Sequence, residues 1–184
     1  MDTPPIRRFP NFLSAPLADA WFERLQNRDW RQYSIQMFGR EVQEPRLIDW
    51  CGDKPYVYSR RRLEPRPIDA DVLGLMQQVS HQAGVEFNHC LMNLYRDGAD
   101  SMGWHRDDEP ELGPNPTIAS LSLGAARDFQ MRGPDESRAN LTLQHGELLI
   151  MDPPCQRDWR HQLPKRARAQ MRINLTFRRI FSTS

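Results

Sequence analysis

Asn93–Asp107 reads NLYRDGADSMGWHRD, and Arg172–Arg178 reads RINLTFR. In the first stretch His105 and Asp107 stand two apart, so on an extended segment both side chains leave the same face and can share one metal. His161 can complete the set from a distant strand. An H-x-D tripeptide alone is common and usually marks only a polar turn. Two imidazoles and one carboxylate on one side of an ion leave open positions opposite them, the arrangement of a non-haem Fe(II) site that takes oxygen and a second ligand. In the second stretch Arg172, Asn174, Thr176 and Arg178 alternate with Ile173, Leu175 and Phe177 at the strand period of two. Such a strand has two placements, a solvated edge or a barrel wall, and arginines inside a barrel are costly unless an anion meets them. A dicarboxylate would do so: guanidinium forks bind carboxylates in bidentate fashion, and Asn93 and Tyr95, again two apart, can add neutral hydrogen bonds.

Through these stretches, and over nearly its whole length, the chain resembles the AlkB family of 2-oxoglutarate- and Fe(II)-dependent nucleic-acid dealkylases. The run FNHCLMNLYRDGADSMGWHRDDEPELGPNPTIASLSLGAARDFQMR is particularly similar to the subgroup that includes the animal DNA-repair members. The resemblance implies that His105, Asp107 and His161 hold iron, and that Asn93, Tyr95, Arg172, Asn174, Thr176 and Arg178 hold 2-oxoglutarate. It implies a mainly β architecture, a double-stranded β-helix of the jelly-roll kind with N-terminal helices buttressing one sheet. It further implies that Fe(II), 2-oxoglutarate and O2 oxidise an alkyl carbon on a base nitrogen, releasing an aldehyde, succinate and carbon dioxide. No side-chain nucleophile is then required.

At 184 residues the chain is long enough for one well-filled core and short for two ordinary domains, so a single domain over 1–184 is expected. With 25 Lys and Arg against 24 Asp and Glu, nucleic-acid binding must come from local patches and not from a global field. Cys51, Cys90 and Cys155 are an odd number without C-x-x-C spacing, which argues against a disulfide framework or a zinc ribbon and for a reducing compartment. MDTPPIRRFPNFLSAPL is broken by prolines and arginines and reads as neither signal peptide nor membrane span. A soluble, intracellular monomer is expected, in the cytoplasm or, in a bacterium, at the nucleoid.

Along the chain the front half reads as helical and the back half as strand-rich. Ser14 and Pro16 open a helix through about Asn27, with Leu17, Trp21 and Leu25 on one face. A second helix runs from near Asp69 to about Gln82, with Val72, Leu75, Met76 and Val79 at helical spacing and Gly84 beyond its end. From Phe87 onward strand candidates alternate with the turn signals Asp97-Gly98, Gly113-Pro114, Gly133-Pro134 and His145-Gly146.

The segment 35–62 resembles the family's nucleotide-recognition lid. Phe38 before Gly39 can present an aromatic at a hairpin tip flanked by Arg40 and Arg46, a wedge for the space left by an extruded base, or it can simply pack inward. Tyr56 and Tyr58 alternate with Val57, so both rings can face a pocket; the resemblance makes Tyr58 and His105 the two sides of a base sandwich and Tyr56 a hydrogen-bond donor. Asp108 matches a substrate-contacting position, and Glu109 can read an exocyclic amino group or steady the charge of a cationic alkylated base, although either can be merely solvated.

His81, His89 and His145 lack the double support of His105 and His161 and are assigned structural or surface roles. Arg60-Arg61-Arg62 and Lys165-Arg166-Ala167-Arg168 can track phosphates or form a solvated face. The segment RGPDESRANL from Arg132 to Leu141 departs from the family pattern: it is short and mixed in charge where an animal repair member of the family carries a longer, strongly basic loop. Alkylated DNA, single- or double-stranded, is thus the expected partner, with RNA open and no membrane. The alternatives are an RNA or protein demethylase of the same chemistry, or a non-catalytic jelly-roll module that binds modified nucleic acid.

Overall fold

The computed structural model describes residues 3–181 apart from 38 and 60, so the expectations for Phe38 and Arg60 lie outside the described residues. The first half of the chain forms β1 (Ile6–Phe9), α1 (Ala15–Gln26), β2 (Ser34–Met37), β3 (Arg40–Gln43), β4 (Leu47–Gly52), β5 (Tyr56–Tyr58), β6 (Arg61–Leu63) and α2 (Ala70–Ala83). The second forms β7 (His89–Tyr95), β8 (Met102–His105), β9 (Ile118–Gly124), β10 (Arg127–Arg132), β11 (Arg138–Leu143), β12 (Leu148–Met151), α3 (Cys155–Asp158), β13 (Arg160–Leu163) and β14 (Arg172–Arg178). A six-stranded sheet in the order β1-β12-β9-β14-β7-β4 faces a four-stranded sheet in the order β11-β10-β13-β8. This is the jelly-roll architecture expected, mainly β with flanking helices.

The alternation in RINLTFR is realised at the centre of the larger sheet and not at an edge. β14 lies antiparallel between β9 and β7, with Arg172 opposite Tyr95 and Asn174 opposite both Asn93 and Ser122. Directly opposite residues share a face, so the polar members of three adjacent strands converge on the side turned toward the smaller sheet. Ile173, Leu175 and Phe177, with Met92 and Leu94, face the other way into a core closed by α1 and α2. A second core, including Leu91, Ile118, Phe129 and Met131, fills the space between the sheets around the polar cluster.

Both helices form where their patterns place them. Pro16 sits in the first turn of α1, where its missing N–H costs nothing. The buried stripe of α1 runs through Ala18 and Leu25, whereas Leu17, expected on the inner face, is 46% exposed. Val72, Leu75, Met76 and Val79 are buried under α2, and Gly84 ends that helix in the left-handed region at φ 73°. The four turn signals after Phe87 all fall between strands.

The front half is less helical than the sequence reads. Two helices share it with six strands, of which β1 and β4 are the two edges of the larger sheet. The segment 35–62 is correspondingly not one continuous flap. The β2–β3 and β5–β6 hairpins are separated by β4, which pairs with β7 from Leu47 to Gly52 and is buried from Ile48 onward. Among the described residues no helix is long and apolar enough to cross a membrane.

Gly124 closes β9 at φ +85°, where an added Cβ would meet the Met171 carbonyl oxygen and the Phe22 ring, both at 2.6 Å. Left-handed strain plus overpacking should make Gly124→Ala cost about 3 kcal/mol and lower the melting temperature by roughly 6–12 °C. A calorimetric shift under roughly 2 °C would mean that the turn relaxes freely. His89, buried at the start of β7, has its pKa pushed down to about 3 by burial and by the nearby Arg178. Unfolding lets this ring take up a proton below its ordinary value of 6.5, so its stabilisation is present above that pH and is lost as pH falls through the window toward 3. Denaturant titrations of the metal-free chain should therefore show stability falling by up to about 1.4 kcal/mol per pH unit on this account, a component that His89→Phe removes; an unchanged slope would refute it.

Candidate active site

The register of the smaller sheet assembles the three metal candidates. His161 on β13 is directly opposite His105 on β8, with ring centroids 4.2 Å apart, and Asp107 follows β8 by two residues. One ligand atom from each of His105, Asp107 and His161 lies within 4.8 Å of the others. His105 Nδ1 is 2.9 Å from the Gly103 carbonyl oxygen, which can only accept, so Nδ1 carries the proton and Nε2 keeps its lone pair. Burial, reinforced by the neighbouring His161, lowers the His105 pKa to about 4, leaving its ring neutral near pH 7. Phe129 stacks on His161 with centroids 5.2 Å apart and fixes the plane of that ring.

Asp107 is held from two sides. Its backbone N–H donates to Gln156 Oε1 at 2.9 Å, while Arg178 donates to Oδ1 through Nη2 at 2.5 Å and Nε at 3.2 Å. Burial would raise this carboxyl group, but Arg178 and then His161 outweigh it and hold it far below the usual carboxylate range. The second oxygen, Oδ2, turns toward His161 Nε2 at 3.5 Å, a separation that leaves a lone pair available. The neutral His105 imidazole, the facing His161 ring and an ionised carboxylate with one oxygen turned toward them suit a divalent ion that keeps open positions.

Arg172 is in the opposite electrostatic condition. Arg172 is 2% exposed, and among the described residues its hydrogen bonds go only to Ser122 Oγ at 2.9 Å and Asn174 Oδ1 at 3.0 Å. Burial and the nearby Arg127 lower its pKa to about 10, despite the opposing influence of Tyr95. Among the described residues, its Nε, Arg178 Nη1 and Asn93 Oδ1 are buried without hydrogen-bond partners. A cavity bordered by Tyr58, Asn93, Tyr95, Arg172, Thr176 and Arg178 also reaches the three metal candidates. An enclosed cation with free N–H groups beside an open metal position fits a dicarboxylate that reaches from one to the other.

All six residues expected at the co-substrate thus border one cavity, although Asn174 and Thr176 are already bonded to each other at 2.7 Å. The substrate candidates are more dispersed. Tyr58 borders the cavity with His105, and its hydroxyl accepts from Arg46 Nη2 at 3.1 Å. Tyr56 sits deeper than expected: fully buried, its ring meets His89 at 5.1 Å, and its hydroxyl is coupled to the Glu109 carboxyl group. Val57 is half-buried, whereas Gly39 and Arg40 are exposed on the β2–β3 hairpin. Asp108 is exposed, and Glu109 is half-buried, its pKa raised by desolvation against the opposing pull of Arg178. Arg46 is not a flanking surface charge; it is 5% exposed and paired with Glu44 at 3.2 Å.

Several supporting residues were missed by sequence reasoning. Ser120 and Ser122 alternate with Leu121 and Leu123, a visible period of two, and their hydroxyls anchor Asn174 and Arg172. Arg127, fully buried, donates to the carbonyls of Asp97, Asp100 and Pro164 and lies 5.8 Å from the Tyr95 ring, while Arg172 is 5.4 Å from it. Nothing local distinguishes Arg127 or Gln156 from a surface residue.

Comparison with known proteins agrees with this geometry. The family model described as the 2OG-Fe(II) oxygenase superfamily matches residues 5–178. The chain is 42% identical over 186 residues to human "Alpha-ketoglutarate-dependent dioxygenase alkB homolog 3", covering 94% of this chain and 65% of that protein. It is 40% identical over 161 residues to mouse "DNA oxidative demethylase ALKBH2", covering 81% of this chain and 67% of that protein. The solved structure of OsALKBH1 matches with a TM-score of 0.68 at 18% identity, over 97% of this chain and 98% of that one, which supports the fold alone. The chain spans slightly under two thirds of the alkB homolog 3 relatives it matches. With the family model spanning the sheets and both site segments, the chain belongs to the 2OG-Fe(II) oxygenase superfamily and, within it, to the AlkB homologues.

Proposed function

We propose that the chain is an Fe(II)- and 2-oxoglutarate-dependent dioxygenase that oxidatively dealkylates N-alkylated bases in DNA. The observation that carries the reading is Arg172, a buried guanidinium without a carboxylate partner, lying on the cavity that reaches His105, Asp107 and His161. A binding module needs neither a buried cation awaiting an anion nor open metal positions. The relatives' names supply the DNA and the demethylation. An intracellular monomer suits such a substrate.

In this reading His105, Asp107 and His161 hold Fe(II), while Arg172 binds the distal carboxylate of 2-oxoglutarate. Together with O2 the bound iron and co-substrate supply the oxidation of the alkyl carbon, which then leaves as an aldehyde. Arg178 keeps Asp107 ionised and turned with Oδ2 toward the metal position. Asn93 and Tyr95 supply neutral hydrogen bonds at the cavity. Tyr58 stacks on the base opposite His105, an interaction worth roughly 1–3 kcal/mol per base. Glu109 offsets the charge of a cationic methylated base, and Asp108 remains a solvent-side contact. The short β10–β11 connection lacks a long basic arm, which favours single strands or easily opened duplex over tightly paired DNA.

Aerobic turnover with Fe(II) and 2-oxoglutarate on single- and double-stranded DNA carrying 1-methyladenine, 3-methylcytosine or ethenoadenine, with methylated RNA alongside, tests the reading by product mass. Repair that needs both cofactors supports it; succinate without base repair would move the substrate elsewhere, and a lack of both products from iron-loaded protein would sink the enzyme. Arg172→Leu should weaken 2-oxoglutarate binding about 10- to 100-fold, the scale of a lost charge-assisted pair, with iron affinity little changed. Equal loss of both affinities in titration calorimetry would contradict this division. His161→Ala should abolish turnover while the far-ultraviolet circular dichroism stays native; retained turnover would exclude His161 as a ligand.

A further inference from the structure

Parts of the basic runs visible in the sequence are neutralised or engaged once folded. Arg62 pairs with Glu64 at 2.8 Å, Arg166 pairs with Asp128 at 2.7 Å, and Arg61 lies 3.8 Å over the Tyr33 ring while donating to the Ser34 carbonyl. A different basic feature appears on the outer face of the smaller sheet. Arg132 on β10 is directly opposite Arg138 on β11 and directly opposite Arg160 on β13. Their neighbours Met131 and His161 point inward and are buried, so the three arginines point outward, and all three are exposed. Arg106, the residue after His105, extends the row beside Arg160, because His105 and His161 are register partners.

Like charges directly opposite each other across antiparallel strands destabilise the pair. Among the described residues no acid lies within ion-pair distance of Arg132, Arg138 or Arg160; only Arg106 is partly engaged, 3.9 Å from Asp108 and donating to the Arg157 carbonyl. The Arg132 guanidinium stacks 4.4 Å from Trp104, the residue before His105. Trp104 and His105 together line an open groove of about 810 Å³ that extends to the β2 and β5–β6 region. A row of unpaired guanidinium groups ending at an aromatic, one residue from a metal candidate, suits a chain of phosphates with bases attached.

We propose that Arg132, Arg138 and Arg160, continued by Arg106 and Trp104, form a phosphate track that seats the nucleic-acid strand running into the active-site groove. The track deepens the dealkylase reading and rests on its nucleic-acid substrate. An anionic membrane is the weaker occupant, because the face offers arginine forks and one half-buried Trp and not an apolar surface to insert.

The test is the salt dependence of binding, by fluorescence anisotropy, of a labelled unmodified single strand to the full chain from roughly 50 to 200 mM salt. The triple variant Arg132→Gln, Arg138→Gln, Arg160→Gln should flatten the log K against log salt slope by about 2, from roughly 0.7 per phosphate contact. The matching triple Arg→Lys variant should restore most of that slope. An unchanged slope in the glutamine variant overturns the track, as does row-dependent binding to phosphatidylserine vesicles that exceeds binding to DNA. Dealkylation of a methylated trinucleotide by the unmodified chain is measured in parallel. Turnover with an unaltered slope removes the track alone, whereas an altered slope without turnover on any strand keeps the track and removes the dealkylase.

Discussion

Two guanidinium groups buried on one central strand impose the condition that the rest of the structure must meet. β14 is buried along its whole length, yet every second residue of it is polar. An isolated charge inside a protein is untenable unless it is paired or meets a ligand. The fold answers differently at the two ends. Arg178 is paired with Asp107, and a larger scaffold follows from that pairing: the segment leaving β8 must carry Asp107 across to the larger sheet, and Gln156 in α3 must hold its backbone. Arg172, among the described residues, is left with hydroxyl and amide oxygens only. The smaller sheet therefore closes over a site whose charge is incomplete at one end.

That incompleteness has a chemical direction. Near neutral pH the imidazole of His105 is uncharged, and Asp107 and Arg178 cancel, so Arg172 leaves the protein part of the cavity cationic. A divalent ion adds to that charge, and a dicarboxylate removes as much as the ion adds. In the dealkylase reading proposed above, that residual positive charge would repel a cationic methylated base. Glu109, half-buried near Tyr56 and Arg178, is the carboxylate positioned to counter it, and its raised pKa reflects the burial that makes the interaction strong.

The parts legible in the sequence are those fixed by local periodicity. His105 and Asp107 two apart, the alternation of RINLTFR, the buried stripe of α2 and Gly84 as its cap depend on neighbours within a few residues. Leu17 was misplaced because the 3.6-residue period does not say which side of an amphipathic stripe faces the sheet, and Ala18 took the buried position. β1 and β4 escaped notice because neither shows a strand's alternation: IRRF carries none, and LIDWCG places Asp49 in a buried run, where Arg28 and Arg66 neutralise it. Arg46 read as a surface charge because its partners, Glu44 and Tyr58, give no sign in sequence that the hairpins fold over them. Arg127 is invisible for the same reason, since its three carbonyl partners lie 27 to 37 residues away.

The same distinction governs the surface. Charges near each other in sequence tend to find local partners, as Arg62 with Glu64, Arg31 with Asp29 and Arg157 with Asp158 show. A basic run read from sequence is therefore a poor guide to where positive potential survives in a chain of net charge +1. What survives is decided by strand register, which sets Arg132 opposite Arg138 and Arg160 irrespective of local composition. The alternation that turns His105 and His161 inward is also what turns Trp104, Arg106 and Arg160 outward. On a strand with period two, the inner metal set and the outer basic row are two faces of one register, so a one-residue slip of β13 against β8 would dismantle both together.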